Sequence, residues 1–400
     1  MNSVLIIVSC LFAFLFFHPK VRKSIFWRAT VTPLASIIGS GFLVAAPILA
    51  HAAGNYAWMA MTALCALAYL FGSAIRHNIA HIEDELSEHP AALTAGLERA
   101  SDFALSLAYF VSVAYYLNLF AAFGLRFGDI VEPFWIRIAA TAVIACVGTL
   151  GALGGLRALE RLEVSVVGVK LSLIGGLCVT LAIAGVFAFV SGTLHWNPPD
   201  HAHGINEIRI LLGLVILVQG FETSRYLGDA YDKETRIKTM RWSQWIASGI
   251  YFAFIILVTP YFTQELPALG GETAIIDMLI PVGAVVAPAI IIVALASQLS
   301  AAVADMNGAG GLLFETTNKR LSPEAGHLLT ALLAVAITWV ADIYEIITYA
   351  SKLFVLYYAL QSVQADCSAW RLKRYGRAAM YSAGVAVALL VVMFAIPADV

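Results

Sequence analysis

The stretch TPLASIIGSGFLVAAP, Thr32 to Pro47, is an apolar run interrupted by Gly39-Ser40-Gly41 at a depth where a membrane helix is normally continuous. Small residues let a helix unwind, and backbone groups freed inside a bilayer need partners. Unwound backbone is therefore confined to places where it faces protein or a water-filled cavity, which is where transporters hold their substrates. The run predicts one half of a binding site. Its other half is Gln219-Gly220-Phe221-Glu222, a second interruption inside the run 208–226. The competing reading is that such glycines serve close helix packing without any break.

Working outward, 60% of the 400 residues are hydrophobic, 12% are charged, and the mean hydropathy is +0.84. Apolar runs of spanning length recur from end to end, so the chain reads as an all-α, polytopic protein of the lipid bilayer. A net charge of −2, with the basic residues scattered through short loops, leaves no patch for a nucleic-acid partner. The five cysteines form neither a CxxC pattern nor a disulfide framework. His195, His201 and His203 share the longest outer loop, 192–206, but lack Cys or carboxylate partners at ligand spacing, so no metal and no cofactor is expected. The spans carry no cluster of His or carboxylates at catalytic spacing, which argues against an enzyme.

The first apolar segment, 3–17, has no basic residue before it and Lys20, Arg22, Lys23 and Arg28 after it. A cleavable signal peptide carries its positive charge on the other flank, so this is read as an extra helix with its N-terminus outside. Further spans are expected at 28–52, 56–77, 99–125, 134–152, 160–190, 207–228, 238–262, 276–303, 324–341, 343–366 and 377–396, about twelve in all. Alternating the loops across the membrane puts 19 of the 24 basic residues on the cytoplasmic side and three outside, with Lys170 and Lys352 left inside spans. A miscounted span would scramble that asymmetry. The location implied is the cytoplasmic (inner) membrane of a cell. The acidic run Glu83, Asp84, Glu85 and Glu88 on the cytoplasmic side reads as a solvated face.

If the breaks at Gly39 and Gly220 correspond, residues 28–190 and 207–366 form two five-helix repeats, preceded by 1–27 and followed by 377–396. Five is odd, so the repeats have opposite orientation, the arrangement of transporters that rock one bundle against another around a midplane site. IIGSGF at 37–42, GLRALERLE at 155–163 followed by Lys170, QGFE at 219–222 and SAAVADMNGAGGLLFETTNKRLSP at 300–323 resemble the amino acid/polyamine/organocation (APC) superfamily of permeases. The resemblance implies a LeuT-type fold with a 5+5 inverted repeat. It implies that Ile38, Gly39, Ser40 and Gly41, with Gln219, Gly220, Phe221 and Glu222, meet the carboxylate and amine of an amino-acid-like substrate. Tyr115 on the third core helix is the aromatic it brings to that site. The chain departs from the family in having Ile216 and Val218 where aromatics are common before GFE, and in lacking prolines over 229–240.

Glu222, a carboxylate within a span, is either a functional group or a cap for freed amides. Asp305, near the cytoplasmic end of its helix, is expected to be solvated or loop-bonded. Lys170 and Lys352 lie about 14–15 Å into their helices at 1.5 Å per residue, near the midplane of a ~30 Å core. A desolvated lysine gives up its proton more readily, and the family resemblance places Lys170 where sodium-coupled relatives hold an ion. The competing reading is a permanently charged strut. Together these features predict a secondary active transporter of a small amino acid or related organic amine, coupled to protons through Lys170 and Lys352. An uncoupled exchanger or facilitator, and a sensor that does not transport, are the alternatives.

Overall fold

The computed structural model describes residues 1–88, 91–154, 156–194, 196, 204–228, 230–262 and 271–398, and for residues 40 and 156–165 the backbone alone. Among these residues there is no strand. The helices are α1 (Asn2–Phe16), α2 (Ile25–Ala53), α3 (Ala57–Glu88), α4 (Ala92–Leu125), α5 (Pro133–Ala152) and α6 (Leu156–Val190). They are followed by α7 (Ile205–Leu212), α8 (Lys233–Val258), α9 (Val286–Thr316), α10 (Pro323–Val340), α11 (Ile343–Arg371) and α12 (Tyr375–Phe394). Nine described stretches are long and apolar enough to cross a membrane, and one of them, Ile25–Glu88, contains both α2 and α3. With the shorter α1 and the interrupted α7 segment, the expectation of about twelve crossings stands.

Local chemistry sets the helix ends. Ser24 accepts the Trp27 amide at the start of α2, Asp232 accepts Thr235 N at α8, and Asp342 accepts the amides of Tyr344 and Glu345 at α11. Two packed groups result. In one, α2, α3, α8 and the α7 segment lie against each other; in the other, α4, α5, α9 and α10 do. The α6 helix packs on α9 and also receives α1, whose Phe12 and Ser9 fit against Gly175 and Gly176.

One expectation fails. Residues 38–41 are helical, and α2 runs without interruption from Ile25 to Ala53, through both Pro33 and Pro47. Gly41 of GSGF acts instead in close approach: a Cβ there would overlap Leu217 Cδ2 and lie 2.8 Å from Leu217 Cα. The acidic run is corrected too. Only Asp84 and Glu88 are exposed; α3 carries the run to the basic end of the bundle, where Glu83 takes two bonds from Arg236 (2.9 and 2.6 Å) and Glu85 two from Arg371 (3.1 and 2.8 Å). There Arg225 also meets Glu98 at 2.7 Å and Gln361. His195, His201 and His203 lie outside the described residues, as does residue 155 of the GLRALERLE motif.

Candidate functional site

The second interruption is present. The α7 helix stops at Leu212, a 3-10 turn covers Val215–Val218, Gln219 is extended, and a second 3-10 segment runs over Phe221–Leu227. Gly220 turns the chain with φ of +116°, a left-handed conformation that glycine adopts without a Cβ penalty. A break at this depth leaves amides and carbonyls that water does not reach, so side chains from other helices must satisfy them.

Those side chains are identifiable one by one. Ser351 of α11 donates to Gly213 O at 2.6 Å and accepts from Ile216 N at 2.9 Å. Tyr251 of α8 places its hydroxyl 2.5 Å from Leu217 O and 3.0 Å from Ile37 O of α2, so one hydrogen is shared between the break and the first core helix. Glu222 Oε2 accepts Gly220 N at 2.9 Å and the Tyr358 hydroxyl at 2.8 Å, and Thr223 donates to Gly220 O at 2.8 Å. Of the two readings of Glu222, this geometry contains the amide cap. Aromatic rings close the surroundings: Phe221 and Phe71 each stack on Tyr358, with centroids 5.0 and 5.1 Å apart.

Most of the residues singled out in the sequence meet here. Gly41 abuts Leu217, and Gly220 faces Ser36 and the Ile37 backbone. Ile38 is buried. Lys170, fully buried on α6, donates to Ala35 O of α2 at 2.8 Å; a Cβ on Gly39 would sit 3.5 Å from its Nζ and 3.5 Å from Ser297 O on α9. The ammonium thus lies at the junction of α2, α6 and α9. Tyr115 is buried, but it is Tyr116 whose hydroxyl receives Gln219 Nε2, at 2.6 Å.

Two expectations shift. Lys352 is only partly buried and has no hydrogen bond or ion pair to a described residue, whereas its neighbour Ser351 reaches the break. Asp305 is not solvated: it is 2% exposed and bonded to Ser112 of α4. Sequence reasoning missed Ser351 and Tyr251, and weighed Tyr116 and Tyr358 as packing aromatics rather than site residues. Each is a common residue in an apolar helix, and only the register against α7 distinguishes it. Beside the break lies a void of about 10 Å³ lined by Ile37, Val218 and Tyr251 among others. A larger cavity, about 450 Å³, opens toward the other end, where Asn118, Arg137, Glu272, Asp342 and Tyr344 line it.

The profile of a family described as APC superfamily transporter matches residues 19–395. The chain belongs to the APC superfamily of transporters. This transporter is 36% identical over 397 residues to an uncharacterized protein of Aquifex aeolicus (strain VF5), with 96% of this chain and 94% of the relative covered. Its structure also superposes on a Na⁺-coupled sialic acid symporter in a substrate-bound, outward-open state, with a TM-score of 0.54 and 16% identity over 100% of this chain and 97% of that one. At that identity the likeness concerns the fold. The APC transporter is thus a multi-pass membrane protein of LeuT-type architecture.

Proposed function

We propose that this transporter moves a small amino acid or related organic amine in symport with protons, by alternating access around the break at 219–222. It would sit in the cytoplasmic (inner) membrane with the N-terminus outside, residues 28–190 and 207–366 forming the two inverted repeats. The substrate groups are those sequence reading named, revised for a continuous α2. Gln219, Gly220, Phe221 and Glu222 come from the break, Ile38, Gly39, Ser40 and Gly41 from the helix face against it, and Tyr115 with Tyr116 from α4. Ser36 Oγ and Gln219 Oε1 are buried at this contact without a protein partner, so they are polar atoms left for a ligand.

The observation that carries proton coupling is Lys170, an ammonium removed from water and tied to the Ala35 carbonyl between three helices. A cation fixed there competes with sodium for the same carbonyl oxygens, which favours protons over the sodium coupling of the structural relative. Charged Lys170 ties α6 to α2; neutral Lys170 loosens that tie, so its charge biases which side the site opens to. Lys352, less buried and apart from the break, is assigned a lesser part in coupling.

The test uses purified protein in liposomes, supplied with labelled amino acids with and without an imposed pH gradient. Gradient-driven accumulation is expected in the wild type, with at least a tenfold loss in Lys170→Ala. Lys170→Arg is expected to bind substrate and fail to cycle, because arginine keeps its proton. Accumulation by Lys170→Ala with unchanged pH dependence would remove Lys170 from the coupling role and favour an uncoupled exchanger.

A further inference from the structure

The α4–α9 seam holds a carboxyl group that the scheme above does not use. Asp305 of α9 is 2% exposed, and its one described side-chain partner is the hydroxyl of Ser112 on α4. Ser112 also lies 3.1 Å from Tyr109 O, in donor geometry. A serine hydroxyl carries a single hydrogen. Shared between the Tyr109 carbonyl and the Asp305 carboxylate, that hydrogen gives neither a full bond. A hydrogen on Asp305 removes the competition: the protonated carboxyl donates to Ser112 Oγ, and Ser112 donates onward to Tyr109 O.

We infer that Asp305 and Ser112 form a proton-binding site, separate from Lys170, between α4 and α9. In loading, a proton from water joins the Asp305 carboxylate and forms its O–H bond. The Ser112 hydrogen then swings from the carboxylate to Tyr109 O. Unloading reverses both movements, and Ser112 turns back to the anion. The proton count balances with no other reactant.

The surroundings fit such a switch. No lysine, arginine or histidine is bonded to Asp305 among the described residues. The titratable groups that face it are Tyr109 and Tyr116 on its partner helix and Glu222 from the break. A route of contacts joins the pair to the break. Tyr109 meets Phe354 edge-on at 5.9 Å, Phe354 lies 6.4 Å from Tyr358, and Tyr358 bonds Glu222. An ionised Asp305 needs water or a cation that the closed seam does not supply, so proton loss favours opening of α4 against α9. This coupling role rests on the proton-symport reading; the existence of the proton site does not.

Infrared difference spectroscopy on the full-length protein in lipid, titrated in D₂O, decides the site. The wild type is expected to show a protonated-carboxyl C=O band at neutral pH that Asp305→Asn loses and Glu222→Gln retains. Ser112→Ala is expected to keep the band and shift its frequency, since the acceptor of the carboxyl hydrogen is gone. Identical spectra for wild type and Asp305→Asn, both monodisperse on size exclusion, would overturn the site. Coupling is read separately in liposomes with labelled amino acids, where Asp305→Asn should accumulate at least tenfold less under a pH gradient. Wild-type accumulation by that variant would overturn the coupling role even with the band present. A wild type that accumulates nothing would overturn the symport reading and this coupling role with it, and the band alone would still judge the proton site.

Discussion

The two helices that an inverted repeat exchanges, α2 and the α7 segment, carry similar glycine interruptions and resolve them in opposite ways. Around Gly39 and Gly41 the helix ladder is kept, and the missing side chain of Gly41 lets α2 press onto Leu217. At Gly220 the ladder is given up, and Ser351, Tyr251, Glu222 and Thr223 take over the freed backbone groups. Glycine therefore permits a break without requiring one. A break in a membrane forms where neighbouring helices offer donors and acceptors at the right height. The continuous α2 is not inert in this respect, since its Ala35 and Ile37 carbonyls already take bonds from Lys170 and Tyr251.

The comparison can be broken most directly at Gly220. Gly220→Ala adds a Cβ that would lie 2.7 Å from Ile37 N, at a φ of +116°. Backbone strain of this kind costs about 1–3 kcal/mol before the clash is counted, so folded yield and uptake should both collapse. Intact transport by Gly220→Ala would mean that the left-handed turn is dispensable.

Next in size is Ser351→Ala, which orphans the Gly213 carbonyl and the Ile216 amide together. A loss of about 1–3 kcal/mol is expected, with faster hydrogen exchange confined to the α7 break. Uniformly faster exchange over all helices would instead mark Ser351 as a general packing residue. Tyr251→Phe keeps the ring against Phe42 and removes only the shared hydrogen, so about 0.5–1.5 kcal/mol should be lost, seen as a lower melting temperature in detergent.

Gly39→Ala sharpens the α2 side of the comparison. Its Cβ would find neighbours at 3.4–3.5 Å, ordinary contact, and alanine is favoured in a helix interior by about 1 kcal/mol. The variant should melt at the wild-type temperature or slightly above it. If stability is retained but uptake is lost, α2 must unwind at Gly39 during the cycle.

Much of the fold was legible because a bilayer simplifies the problem. Apolar length marks a span, and the long helices fall where the apolar runs were read. Gln219-Gly220 was legible as a break, and Lys170 as a buried cation, because each violates the rule for a lipid-facing helix. Less legible were residues whose role depends on a partner far along the chain. The expected symmetry of the two breaks failed because GSG in α2 and QGF after α7 look alike in one dimension and differ in what surrounds them. Glu83 and Glu85 looked solvated because Arg236 and Arg371 lie more than a hundred residues away.

The amino-acid sequence by itself determined the class of this protein, the approximate number and placing of its helices, the break at Gly220 and the burial of Lys170. These follow from the cost of placing polar groups in hydrocarbon, which acts on each segment locally. Only the tertiary structure decided that α2 stays continuous, that Tyr116 and not Tyr115 meets Gln219, that Ser351 and not Lys352 reaches the break, and that Asp305 is paired with Ser112 away from water. Each of those depends on the rotation and height of one helix against another, to within the reach of a single hydrogen bond. A hydrophobic pattern fixes which residues lie in the membrane but not that register.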